Sequence, residues 1–162
     1  MNETLAIALL YGYHAQSLLD GGELLPFDPD AALEEAHSFA KTGDTQAVLS
    51  FFQELEILTA QWKQRLDSPA ESDWDAMHLR LFGYFVERYW LQAIADLDLV
   101  GRVKLAVISC LAIKLLGGDL LQTAQLYSKE IENDPDNVEA ILDGAYSHPA
   151  FTDDKLLGLL LQ

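Results

Sequence analysis

Two consecutive stretches in the middle of the chain, residues 74–97 and 99–116, place apolar side chains on every side of a helix. A surface helix is apolar along one stripe only, whereas a helix that is apolar all round is covered by its neighbours. The turn at Asp96-Leu97-Asp98 joins the two stretches, and helices joined by a tight turn run antiparallel. The sequence therefore predicts a central buried antiparallel helix pair.

The other apolar residues recur at helical spacing, and no stretch alternates in the manner of a strand. Residues 44–66 are predicted to form one amphipathic helix, with its apolar stripe at Val48, Phe51, Phe52, Leu55, Leu58 and Trp62. The clearest linker, near 67–73, is too short to separate domains. We expect a single all-α domain over residues 1–162, a multi-helix bundle of about seven or eight helices around the central pair.

The chain is strongly acidic, with a net charge of −16 from 10 basic and 26 acidic residues. Residues 1–70 and 118–162 carry nearly all of this charge, whereas residues 71–117 are almost neutral. Such a chain repels phosphate backbones and anionic lipid surfaces, so we expect no nucleic-acid or membrane partner. A basic protein is an electrostatically favourable partner, although acidity also serves solubility alone.

The single cysteine, Cys110, lies in an apolar run and is predicted to be a buried, unreactive thiol. One cysteine cannot form an internal disulfide, which fits a reducing compartment. The first twenty residues contain no Lys or Arg, so they lack the basic start of a signal peptide. We therefore expect a cytoplasmic location.

The sequence contains no phosphate-binding glycine loop, no zinc-protease motif and no hydrolase nucleophile motif. The four histidines, His14, His37, His78 and His148, lack the spacing of metal ligands, so we expect neither a metal nor another cofactor. Catalytic activity in this chain alone is not expected.

The most concentrated group of charges lies on the two central stretches, at Arg80, Glu87, Arg88, Asp96, Asp98 and Arg102. Charges on largely apolar helices are costly unless they are paired, and the antiparallel arrangement brings Arg88 and Asp96 towards Arg102 and Asp98. A structural ion-pair network is the favoured interpretation, and a binding site is the alternative.

A second candidate site lies on the first helix, at Tyr11, Tyr13 and His14. Aromatic residues with polar tips often rim a binding groove, but they also fill cores. Packing is the favoured interpretation here, with a groove rim as the alternative.

Two segments within residues 80–162 resemble the C-terminal helical region of the bacterial flagellin lysine-N-methylase family. They are FGYFVERYWLQAIADLDLVGRVKLAVISCLAIKLL and AQLYSKEIENDPDNVEAILDGAYSHPAFTDDKLLGLLL. Proteins of that family also carry a cysteine-rich segment, which has no counterpart in this chain. The resemblance therefore implies a related helical domain without the metal-binding portion, and it transfers no catalytic residue.

Three functions are consistent with these features. The first is a non-catalytic accessory or substrate-binding domain that presents an acidic surface to flagellin or another basic protein. The second is a tetratricopeptide-like interaction scaffold, because the stretch YSKEIENDPDN resembles the end of such a hairpin. The third is a small enzyme that uses the carboxylates of the central helices.

Overall fold

The computed structural model describes residues 2–162, which are helical over most of their length and contain no β-strand. The α-helices are α1 (Asn2–Leu19), α2 (Pro29–Phe39), α3 (Thr45–Glu54), α4 (Ala60–Asp67), α5 (Ala76–Tyr89), α6 (Ala93–Asp96), α7 (Leu99–Leu116), α8 (Leu120–Tyr127), α9 (Pro135–Ser147) and α10 (Asp153–Leu161). Two 3₁₀ turns, Trp90–Gln92 and Pro149–Phe151, and a π-helical turn, Ser128–Glu132, connect some of them. The all-α, single-domain prediction is confirmed, and nine helices of eight residues or more lie within 2–162.

Side-chain caps explain where most of the helices begin. Seven of them start after an Asp or Thr whose side chain accepts a hydrogen bond from a free backbone N–H: Asp28, Asp44, Thr59, Asp75, Asp98, Asp119 and Asp134. Such a cap contributes about 0.5–2 kcal/mol. Part of the chain's acidity therefore serves helix initiation.

Helix α7 is the centre of the core, since 15 of its 18 residues are buried. Helices α1, α3, α5, α8 and α9 all pack against it. Although α7 is strongly apolar, none of the helices within residues 2–162 has both the length and the apolar character needed to cross a bilayer.

The prediction of all-round burial is wrong for the first central stretch. Helix α5 buries one face only, at His78, Phe82, Phe85 and Tyr89. The following residues Leu91 and Ile94 are 68% and 75% exposed. These apolar side chains face a groove that no other part of the described chain covers, so apolarity alone did not indicate burial.

The connection near 67–73 is a structural element and not a domain boundary. The backbone N–H groups of Ala70 and Ser72 donate to the carbonyls of Leu116 and Lys114, both at 3.0 Å, and so satisfy the last turn of α7. Gly117 continues from that turn with φ +59°, and a Cβ atom there would lie 1.6 Å from the Ala70 carbonyl oxygen. This junction therefore requires glycine.

The single helix predicted over residues 44–66 is also wrong, because the chain breaks between α3 and α4. The buried carboxylate of Glu130 accepts a hydrogen bond from Leu58 N at 2.8 Å and another from the Thr59 hydroxyl. Thr59 in turn caps α4 through Trp62 N at 3.2 Å. The predicted apolar stripe still contributes to the core, since Phe52 and Trp62 are buried, but its residues lie on two helices.

Cys110 is fully buried on α7, as predicted, and its thiol donates to the His78 carbonyl at 3.3 Å. Burial raises the pKa of the Cys110 thiol to about 12. The thiol is therefore protonated at neutral pH, which makes it a poor nucleophile.

Replacing Leu111 tests the central role of α7. Leu111 is 1% exposed, so we expect Leu111→Ala to lower the free energy of unfolding by about 2–5 kcal/mol, the range for truncating a buried leucine. The matched control is Leu121→Ala, at a leucine that is 62% exposed, where the change should stay within about 0.5 kcal/mol. Urea denaturation measures both, and equal midpoints for the two variants would contradict the assignment.

Candidate protein-interaction groove

Helices α1 and α5 lie side by side on α7, and an apolar cavity of about 610 Å³ opens between them. Its lining is Ala8, Tyr11, Phe82, Val86, Glu87, Trp90, Leu91 and Val103. Gln16 holds α1 against the start of α7, because its amide accepts from Leu99 N at 2.8 Å and donates to the Leu97 carbonyl at 2.9 Å. The walls of this cavity are thus helices fixed to the core.

A second apolar cavity of about 330 Å³ continues from the first, since Trp90 and Leu91 line both. It is completed by Leu19, Ala93, Ile94, Leu97 and Leu99. We call the two cavities together the α1–α5 groove. Several of its large apolar side chains are exposed to solvent, which is typical of interaction sites.

The loop after α1 borders the groove without covering it. Phe27 packs its ring edge-on against Tyr11, with the ring centroids 5.1 Å apart, and lies 5.4 Å from His14. Leu24 and Leu25 in the same loop remain 86% and 59% exposed. Tyr11 and His14, two of the predicted site residues, therefore form an aromatic cluster with Phe27 at the groove's edge.

The charge in and near the groove is mainly acidic. Residues 1–28, which include α1 and the loop, contain four acidic side chains and no Lys or Arg. On α5, Glu87 is exposed in the lining, and Arg80 is exposed two helical turns earlier on the same side. The α1 side chains in the lining, Ala8, Tyr11 and Leu19, are uncharged, so the acidic groups of residues 1–28 lie beside the lining and not in it.

Tyr13 does not belong to this groove, so the predicted trio of Tyr11, Tyr13 and His14 is not one site. The Tyr13 hydroxyl donates to Asp153 at 2.5 Å, beside a separate polar cavity of about 520 Å³. Burial, together with that hydrogen bond, raises the pKa of Tyr13 above its ordinary value. The buried Lys104 ammonium lies in the same cavity, 2.7 Å from the Phe151 carbonyl and 3.1 Å from Asp153.

Only part of the predicted charge network forms. Arg102 pairs with Asp96 at 2.5 Å, as one of the predicted contacts between the two stretches. Asp98 does not pair with an arginine: it caps α7 through Gly101 N at 2.9 Å and accepts from the Tyr146 hydroxyl. Arg80 and Glu87 make no ion pair with any residue in 2–162.

Arg88 has a partner that the sequence pattern did not indicate. Its guanidinium lies 2.9 Å from Glu132, whose side chain is only 2% exposed. The hydroxyls of Tyr89 and Tyr84 donate to the same carboxylate at 2.9 and 3.1 Å. Burial and the Glu132 charge raise the pKa of Tyr89, so its hydroxyl stays protonated and keeps donating. Glu132 is thus a saturated structural carboxylate.

No set of three or more His, Cys, Asp or Glu side chains in the described part of the chain is arranged to hold a metal ion. The buried carboxylates Glu130 and Glu132 accept bonds from backbone or side-chain donors within the fold. The α1–α5 groove, in contrast, is lined mainly by apolar side chains and is open to a partner. No protein-family model, characterised protein or solved structure matches this chain.

Neighbouring substitutions on α5 separate the structural charge from the exposed one. We expect Arg88→Ala to lower the free energy of unfolding by about 1–3 kcal/mol, because it removes a charged donor from the buried Glu132 carboxylate. The control Glu87→Ala removes an exposed, unpaired charge and should change it by less than about 0.5 kcal/mol. Chemical denaturation measures both, and a larger effect at Glu87 would contradict the assignment.

Proposed function

We propose that this chain is a non-catalytic interaction domain that binds a basic protein at the α1–α5 groove. The observation that carries the proposal is an uncovered apolar groove beside the acidic segment of residues 1–28. Leu91 and Ile94 keep more than two thirds of their surface exposed there, a state that is costly in water unless a partner covers them.

The resemblance of residues 80–162 to flagellin lysine-N-methylases suggests which basic protein this is. That stretch includes most of α5 and everything after it, so it supplies one wall of the groove and its floor. In this proposal the chain is an accessory domain in the bacterial cytoplasm that holds a lysine-bearing flagellin surface. The chemistry of methylation would belong to another protein or domain.

A tetratricopeptide-like scaffold is the second candidate, and the hairpin of α8 and α9 favours it. Asp119 caps α8, and Pro135 occupies the first turn of α9, as the resemblance to such a repeat suggests. Two features set this hairpin apart from a regular repeat. The connection is a π-helical turn, and the buried Glu130 lies where the repeat pattern has a small residue.

The proposal predicts that purified flagellin binds this chain and that salt weakens the complex. Attraction between exposed charges is screened within about 8 Å at physiological ionic strength, so raising salt should chiefly slow association. Surface plasmon resonance at low and high salt measures the rates. Absence of binding at low salt would remove flagellin as the partner, and a salt-independent affinity would remove the electrostatic contribution.

Two matched triple variants test which acidic residues contribute to binding of the partner. Asp20→Asn, Glu23→Gln and Glu87→Gln together remove three negative charges in or near the groove. We expect the affinity to fall about threefold or more, since an exposed pair contributes about 0.2–1 kcal/mol. Asp136→Asn, Glu139→Gln and Asp143→Asn make the same charge change on α9, which lines no part of the groove. Equal losses from both would contradict a local site.

A further inference from the structure

We infer that the α1–α5 groove binds the apolar face of an amphipathic helix whose exposed face is basic. This inference rests on the proposed function, and it specifies the site and the kind of segment that fills it.

The shape of the groove fits a helix. Its walls are two helices, its floor includes Val103 of α7, and along α1 it extends from Ala8 to Leu19. The eleven residue-to-residue rises from Ala8 to Leu19 span about 16 Å, which is about three turns. A helix that binds in a groove places its anchors at i, i+3 or i+4, and i+7, which occupy about two turns. The groove is therefore long enough for a complete set of anchors.

The charge in and near the groove indicates the composition of that helix. Glu87 is the charged residue of the lining, and every charged side chain of α1 and the loop after it is acidic, because the first Lys or Arg of the chain is Lys41. On α5 and α6, Arg88 and Asp96 are already paired with Glu132 and Arg102. Lysines on the exposed face of the incoming helix are thus favoured. A second copy of this chain would instead bring two acidic surfaces together.

Gly83 gives an independent indication of where the partner approaches. It is exposed in the middle of α5, and no heavy atom lies within 4 Å of an added Cβ. It is four residues before Glu87 and three before Val86, on the groove side of the helix. Glycine inside a helix costs about 0.8–1 kcal/mol relative to alanine, and nothing in the free chain requires it here. The bare backbone leaves room for a second helix to pack closely.

Three 18-residue peptides test the inference directly. The first contains Leu at positions that form one helical face and Lys elsewhere, the second has the same composition in scrambled order, and the third replaces Lys with Glu. Fluorescence anisotropy with labelled peptides should show the first binding at least tenfold more tightly than the others. Equal binding of the scrambled peptide would exclude recognition of a helix face, and equal binding of the Glu peptide would exclude the basic face.

Variants of the chain then show where the peptide binds. Leu91→Gln with Ile94→Gln should weaken binding of the Leu–Lys peptide at least tenfold. Leu121→Gln, at a leucine that is 62% exposed and outside the groove, should leave that binding unchanged. Gly83→Gln should raise the denaturation midpoint and weaken binding at least threefold. A folding defect cannot produce that opposite pair of effects. Unchanged binding by the double variant would overturn the inference.

The flagellin experiment distinguishes this inference from the proposed function. If flagellin binds in a salt-dependent manner and the changes at Leu91, Ile94 and Gly83 do not alter its affinity, the proposed function is supported and the groove is not the binding site. If the Leu–Lys peptide binds at the groove and flagellin does not bind, the groove is a binding site for a basic helix, and flagellin is not the partner. Dimerisation of the chain alone that the double variant abolishes would show that a second copy is the occupant.

Discussion

The burial of nearly all of α7 is the constraint on which the rest of the structure depends. An 18-residue helix with 15 buried residues needs neighbours on every side, and α1, α3, α5, α8 and α9 provide them. The few polar groups on α7 then decide which neighbour lies where. The Lys104 ammonium is satisfied by the Phe151 carbonyl before α10, and the Ser109 hydroxyl lies 2.6 Å from the hydroxyl of Tyr127 on α8. Apolar contacts gather the helices around α7, and these buried polar contacts fix their positions, because an unpaired polar group there would be costly.

The π-helical turn between α8 and α9 holds other segments in place through two buried carboxylates. Glu130 accepts a hydrogen bond from the backbone N–H of Leu58, in the break between α3 and α4. Glu132 accepts hydrogen bonds from donors near the end of α5, among them the Tyr89 hydroxyl. One five-residue turn therefore positions two segments that are far away in sequence. A buried carboxylate is unfavourable unless hydrogen bonds replace its water, so each alternative position of these segments would leave a charge unsatisfied. The turn thereby helps to orient α5, which is one wall of the groove.

Local signals predicted what depends on local chemistry. The start of α3 at Asp44, the buried thiol of Cys110 and the Asp96–Arg102 pair follow from capping, apolar context and short sequence separation. Local signals did not predict the break before α4, because Glu130, which accepts the hydrogen bonds there, lies more than seventy residues further on. The exposure of Leu91 and Ile94 was also missed, since all-round apolarity has the same appearance whether a helix is covered by its own chain or by a partner. At the groove the apolar pattern of the sequence predicts burial and the structure shows exposure, and such disagreements are expected at functional sites.

Acidity and the open groove are connected by a physical argument about self-association. An exposed apolar groove promotes association with other copies, and a net charge of −16 opposes it through repulsion. Six of the 26 acidic side chains, however, cap helices, where the backbone requires them whatever the partner. The charge that is free to select a partner must come from the others, such as Glu3, Asp20 and Glu23 in the N-terminal segment and Glu87 in the groove lining. The negative charge of these residues keeps copies of the chain apart. In the proposed function it also attracts a cationic helix to the α1–α5 groove.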